Sequence, residues 1–177
     1  MEVLCVLCGY FSLCFVIYSV FEGAGVKSLR LPIPPAAVYY ALSFLWGMPV
    51  TLAGCVAALV MKSAGRIPEK RGYNWFFRLK KAHWGLDLGL FAFVPENCGD
   101  RMIAHEHGHG IQNAWIGPFM LFTVIIPSAV RFWYRFFRTG IRKKPLKNDY
   151  DSIWFEASAT LNGKRVLEKC GGKNVSV

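Results

Sequence analysis

Three apolar runs dominate the chain. Val3 to Phe21 carries no charge and is long enough to cross a bilayer, and Ala36 to Met61 is a second uncharged run, interrupted at Gly47-Met48-Pro49. Both predict transmembrane helices, over 3–21 and 36–61. The first run precedes small residues in Glu22-Gly23-Ala24-Gly25, as a signal peptide would. Its start, however, holds Glu2 and neither Lys nor Arg, so it reads as an anchor. The third run, Trp115 to Trp133, belongs to an apolar segment over 115–138 and contains Pro127-Ser128, where a helix would kink.

Polar stretches separate these runs. Residues 62–81 form a loop with Lys62, Arg66, Lys70, Arg71, Arg78, Lys80 and Lys81 against the single acid Glu69, which the positive-inside rule puts in the cytoplasm. By parity the amino terminus is cytoplasmic too, and the connection with Lys27, Arg30, Pro32, Pro34 and Pro35 lies outside as an extended turn. Over 82–95, from His83-Trp84-Gly85 to Pro95, the glycine spacing favours a short β-hairpin over an interfacial helix. Such a strand near an active-site helix could take up a substrate backbone at the sheet edge. Asn97-Cys98-Gly99-Asp100 is a turn, with Asp100 as N-cap of a helix over 100–114. A further helix over 150–169 starts at an N-cap supplied by Asp149 or Asp151.

Composition points the same way: 54% hydrophobic and 15% aromatic residues against 18% charged, below the usual quarter. The net charge of +10 lies beside the apolar runs and is interleaved with Trp75, Phe76, Phe77, Trp133, Tyr134, Phe136 and Phe137, a pattern suited to gripping anionic headgroups. No nucleic-acid-binding signature accompanies it. Cys5, Cys8 and Cys14 sit inside the first apolar run as small hydrophobes, and Cys98 and Cys170 read as reduced thiols.

Candidate chemistry sits in Ala104-His105-Glu106-His107-Gly108-His109-Gly110, which contains His-Glu-x-x-His. On a helix, His105 and His109 lie one turn apart on one face and can share a zinc ion, while Glu106 is placed to take a proton from a water whose pKa the ion lowers to about 7. The flanking glycines lower helix propensity by about 1 kcal/mol each, so their presence points to a need for close approach. Gln112 lies one further turn along the histidine face.

A hydrolytic zinc site needs a third protein ligand and one open position. Glu156 is the best candidate, with Asp149 and Asp151 as alternatives. Its helix carries Thr160 on the same face, able to bond a ligand, and the small Ala157 and Ala159, which permit close packing on the motif helix. Glu156 can reach His105 and His109 only if the third apolar segment returns to the side from which it came. Seven basic residues between Arg131 and Lys147 also hold that flank in the cytoplasm. The segment therefore reads as a hairpin or re-entrant helix bending at Pro127-Ser128; the alternative is an ordinary third span with a peripheral tail, which counts against Glu156.

His-Glu-x-Gly-His with a downstream Glu-x-x-Ala resembles the gluzincin metallopeptidases, particularly membrane-embedded ones such as the CAAX prenyl protease group. The resemblance covers about Arg101 to Lys164 and implies His105 and His109 as zinc ligands, Glu106 as base and Glu156 as third ligand. The run His-Glu-x-Gly-His-x-x-Gln ending at Gln112, with Tyr150-Asp151-x-x-Trp154-x-Glu156, is also similar to short bacterial membrane proteins carrying the same motif. Two departures stand out: 177 residues are far fewer than in the prenyl protease type, and Thr160 stands where that group often has an acid. The Asp-Gly pair of site-two-type intramembrane proteases is absent from the sequence.

Among the remaining polar residues, His107 points away from the other two histidines and reads as structural. His83, Arg131, Tyr134 and Tyr150 are candidates for stabilising an oxyanion. The expectation is thus one mainly α, multi-pass integral membrane domain: two transmembrane helices, a kinked or re-entrant third, a motif helix, a C-terminal helix and a short hairpin. Its function would be zinc-dependent hydrolysis of a peptide or membrane-protein substrate at the cytoplasmic interface. The alternative is a catalytically silent, metal-binding membrane scaffold acting through partners.

Overall fold

Apolar sequence folds into helices that break wherever glycine and proline meet, and a four-stranded sheet forms in the polar stretch between the third and fourth. The computed structural model describes residues 2–23, 26–145 and 152–171. Its elements are α1 (Glu2–Gly23), α2 (Ala36–Leu45), α3 (Met48–Ser63), β1 (Glu69–Arg71), β2 (Asn74–Leu79), β3 (Leu86–Leu88), β4 (Phe91–Pro95), α4 (Asp100–Ile116), α5 (Ile126–Phe136) and α6 (Trp154–Lys169). The molecule is mainly helical. Two compact units share it, residues 30–118 with 158–177 and residues 1–29 with 119–157; α6 starts in the second of these and runs through the first.

In the larger unit the sheet order is β1-β2-β4-β3, antiparallel except for the central β2–β4 pair. The expected basic loop over 62–81 therefore contains a hairpin, turned at Gly72. Its charges mask a β-forming aromatic run, Asn74-Trp75-Phe76-Phe77. Successive residues face opposite sides: Phe76 packs with Ala92, Val94, Ile103, Ala104 and Leu167, whereas Phe77 packs with Phe93 and Ala58 of α3. Phe76 and Phe77 are consequently core residues and do not face headgroups as expected; Trp75 is half-buried. The anticipated hairpin over 82–95 forms as β3 and β4. Glu69 takes ion pairs from both Arg71 and Arg78.

The helix expected over 36–61, interrupted at Gly47-Met48-Pro49, forms as two, α2 and α3, bent by 95°. Gly47 sits at the bend because its bare backbone lies against Asn113 of α4, and Pro49 occupies the first turn of α3, where a missing N–H costs nothing. Thr51 Oγ1 donates to the Ser43 carbonyl at 2.8 Å across the bend. Residues 31–34 form an extended strap. Leu31 N–H donates to Asn162 Oδ1 at 3.0 Å, and Trp115 Nε1 and the Tyr73 hydroxyl donate to the Pro32 and Pro34 carbonyls at 2.8 and 3.1 Å.

Helix α4 starts from Gly99, with Asp100 in its first turn rather than as the expected N-cap, a position where a negative charge favours the helix dipole. The helix stops at Gly117, whose φ of 62° few other residues adopt. The chain thus breaks at Gly117-Pro118, not at Pro127-Ser128. Pro127 lies in the first turn of α5, where its missing N–H is tolerated, and a π-helical turn, Leu121–Ile125, precedes it. In the smaller unit, Tyr10 and Phe11 of α1 pack on Phe122 with ring centroids 5.5 and 4.7 Å apart.

Among the described residues no single helix is long and apolar enough to cross a membrane. The pair α2–α3, and the helical stretches Asp100–Phe119 and Leu121–Ile141, pass that test of length and composition only when taken together across their breaks.

Candidate metal centre

Helices α4 and α6 touch backbone to backbone. Ala104 and Gly108 on α4 face Ala159 and Gly163 on α6, and a Cβ at Gly108 or Gly163 would collide with the Ala159 or Ala104 carbonyl. This approach explains why α4 retains glycines that weaken it as an isolated helix. It also brings Thr160 beneath the histidine face of α4.

Both histidines are held from behind. Thr160 Oγ1 lies 2.8 Å from His105 Nδ1, and Gln112 Oε1 lies 2.8 Å from His109 Nδ1. The Gln112 carbonyl oxygen can only accept, so His109 Nδ1 carries the proton and Nε2 keeps its lone pair. The two Nε2 atoms face each other at 3.2 Å. Two nitrogens bound to one tetrahedral zinc-type ion would stand about 3.3 Å apart. Glu156 lies on α6 one turn before Thr160 and is fully buried. Its Oε1 accepts a hydrogen bond from the Ser128 hydroxyl at 2.5 Å. One ligand atom from each of His105, His109 and Glu156 lies within 4.8 Å of the others, so this group could hold a metal ion. The donor set is two imidazoles, each with its Nδ1 already bonded, and one buried carboxylate.

Glu106 is 5% exposed, and its carboxylate lies against the backbone of Gly85, where a Cβ would collide with Oε1. Gly85 immediately precedes β3, whose Asp87 is also buried. Asp87 accepts from Asn74 Nδ2 and from the Gly89 N–H, both at 2.9 Å, and the Tyr39 hydroxyl donates to Asn74 Oδ1 at 2.5 Å. Burial, then the negative charge of Glu106, pushes the Asp87 carboxyl well above its ordinary range; His109, Gly89 and Asn74 pull the other way. Gly110 has no side chain because Asn74 and Tyr39 occupy that space. Sequence reasoning missed Asp87. The available signal was an acid set between Leu86 and Leu88 in a half-buried strand.

The remaining candidates lie elsewhere. His107 is fully buried away from the metal group, and its Nε2 accepts the Tyr73 N–H at 2.9 Å beside the Gly72 turn; burial pushes its imidazole down to about 4. His83 is exposed in the turn before Gly85. Arg131 donates to Ser152 Oγ at 2.8 Å. Asp149, Tyr150 and Asp151 lie outside the described residues. Comparison with protein families, curated proteins and solved structures finds no match to this chain.

Proposed function

We propose that this chain is a membrane-associated metallopeptidase of the zinc type. The observation that carries the reading is the His105–His109–Glu156 group with each imidazole Nδ1 held by its own partner, and with Glu106 buried beside the second strand pair. His105, His109 and Glu156 would hold the ion. When bound, such an ion supplies Lewis-acid polarisation of a carbonyl and makes water more acidic. Glu106 accepts the proton of the attacking water on a carboxylate oxygen and returns it to the leaving amine nitrogen. Gly85, having no side chain, lets the backbone before β3 lie against that carboxylate. Thr160 and Gln112 fix the imidazole orientations. The substrate is a peptide or membrane protein presented at an interface, and the apolar exposed faces of α1 and α5 support a lipid setting for it.

Elemental analysis of detergent-purified protein tests this. Wild type should carry one ion per chain, lost in His105→Ala and Glu156→Ala. Glu106→Gln should keep the metal and abolish hydrolysis of a fluorogenic peptide library. A wild type that takes up no metal when zinc is supplied overturns the reading. Retained hydrolysis in Glu106→Gln removes the assigned base.

A further inference from the structure

We propose that the helical stretch Ile126–Ile141 is an in-plane anchor that seats the chain on an anionic lipid surface, instead of crossing the membrane. The stretch consists of α5 and the π-helical turn Phe137–Ile141 that continues it. Two stripes run along it at helical spacing: Arg131, Arg135 and Arg138 on one side, and Ile126, Val130, Trp133, Phe137 and Ile141 on another. No residue of α5 is buried, and every member of the apolar stripe is exposed, Val130 and Ile141 at 63% each.

The arginines are the better covered side. Arg131, Arg135 and Arg138 are half-buried; Arg138 donates to the Tyr134 hydroxyl at 2.8 Å and to the Pro145 carbonyl at 3.3 Å. This reverses the amphipathicity of a water-facing helix, so the outer face calls for an apolar cover. A crossing helix would carry Arg131, Arg135 and Arg138 through hydrocarbon. An in-plane helix leaves them at headgroup depth, their stems lying along the boundary, while Trp133 and Phe137 enter the acyl layer. Exposed Arg142, Lys143 and Lys144 extend the positive charge beyond its end. The complementary surface is a layer of anionic headgroups; a second copy of the chain would bring like charges together. Ser128, in the first turn of the anchor, is the hydroxyl that donates to Glu156.

This deepens the membrane part of the function proposed above. Its test uses the full chain in phosphatidylcholine vesicles with and without phosphatidylglycerol, carrying a nitroxide on a non-natural residue at Val130, Trp133, Phe137, Arg131, Arg135 or Arg138, one at a time. Oxygen accessibility relative to an aqueous nickel chelate should oscillate with the helical period, the apolar positions sharing one shallow depth. In the double variant Arg135→Gln, Arg138→Gln, the preference of Trp133 for quenching by brominated phosphatidylglycerol over brominated phosphatidylcholine should fall about fivefold per arginine. A depth that drifts steadily from Val130 to Phe137 means a crossing helix and overturns the proposal. So do aqueous exposure at all six positions, or spin–spin broadening between copies at Trp133. None of these readouts depends on metal content or hydrolysis, so the anchor and the metallopeptidase reading fail separately.

Discussion

Helix α4 is rich in polar residues and buries Glu106, His107, His109, Gln112 and Asn113, whereas α5 carries Val130, Phe132, Trp133, Tyr134 and Phe136 and has no buried residue. The difference lies in what each helix was offered as a neighbour. In α4 polar burial is sustained by bonds made in advance: Gln112 to His109, Tyr73 to His107, and Asn113 Nδ2 to Thr51 Oγ1 at 3.2 Å. A buried polar group without such a partner would cost on the order of 1–3 kcal/mol. In α5 Ile126, Val130, Trp133 and Phe136 are exposed while Arg131 and Arg135 are half-buried, an order that suits lipid better than water. Hydrophobicity along the chain therefore does not by itself set the direction of burial in either helix.

Glycine substitutions break this comparison most sharply. Gly163→Ala pushes a methyl group into the Ala104 carbonyl, so α4 and α6 must separate. Thermal unfolding in detergent should show a loss of about 3 kcal/mol or more, with metal content falling alongside it. Truncating Gln112 to Ala frees the His109 ring without touching a ligand atom. Zinc affinity by competitive chelator titration should weaken about 10- to 100-fold, with the fold intact.

A smaller effect is expected from Asp87. Its folded-state pKa is raised by burial, so the folded chain holds a proton that the unfolded chain gives up once pH exceeds the ordinary Asp range. That contribution is present at low pH and is lost as pH rises through the folded value. In metal-free protein, Asp87→Asn should lack this slope, and the difference between the two unfolding curves should move in favour of Asn as pH rises, whatever offset the amide adds at low pH. The smallest effect belongs to Gly140, where a new Cβ would meet only Phe136 at 3.9 Å. Gly140→Ala should leave stability unchanged or raise it by up to about 1 kcal/mol, since the substitution favours the helix and displaces nothing. An equal response at Gly163 and Gly140 would remove the distinction between the two regions.

Much of the helical framework was legible. The break at Gly47-Met48-Pro49 and the strand pair ending at Pro95 follow from glycine and proline acting locally. The β1–β2 hairpin was not, because seven basic residues over 62–81 outweigh its aromatic run when each residue is weighed alone. In sequence the bend after α4 reads at Pro127-Ser128, because proline is the stronger kink signal. The positive φ of Gly117 shows only once the chain is folded.

The sequence by itself determined that His105 and His109 share a helical face with Glu106 between them, because a four-residue spacing is enforced by the helix whatever surrounds it. Tertiary structure alone decided that Glu156 joins the histidines, that Gly85 and Asp87 lie by Glu106, and that Phe76 and Phe77 belong to the core. These are contacts between residues distant along the chain, set by which backbones can approach closely enough, and at Gly108 and Gly163 that approach depends on the absence of a single carbon atom.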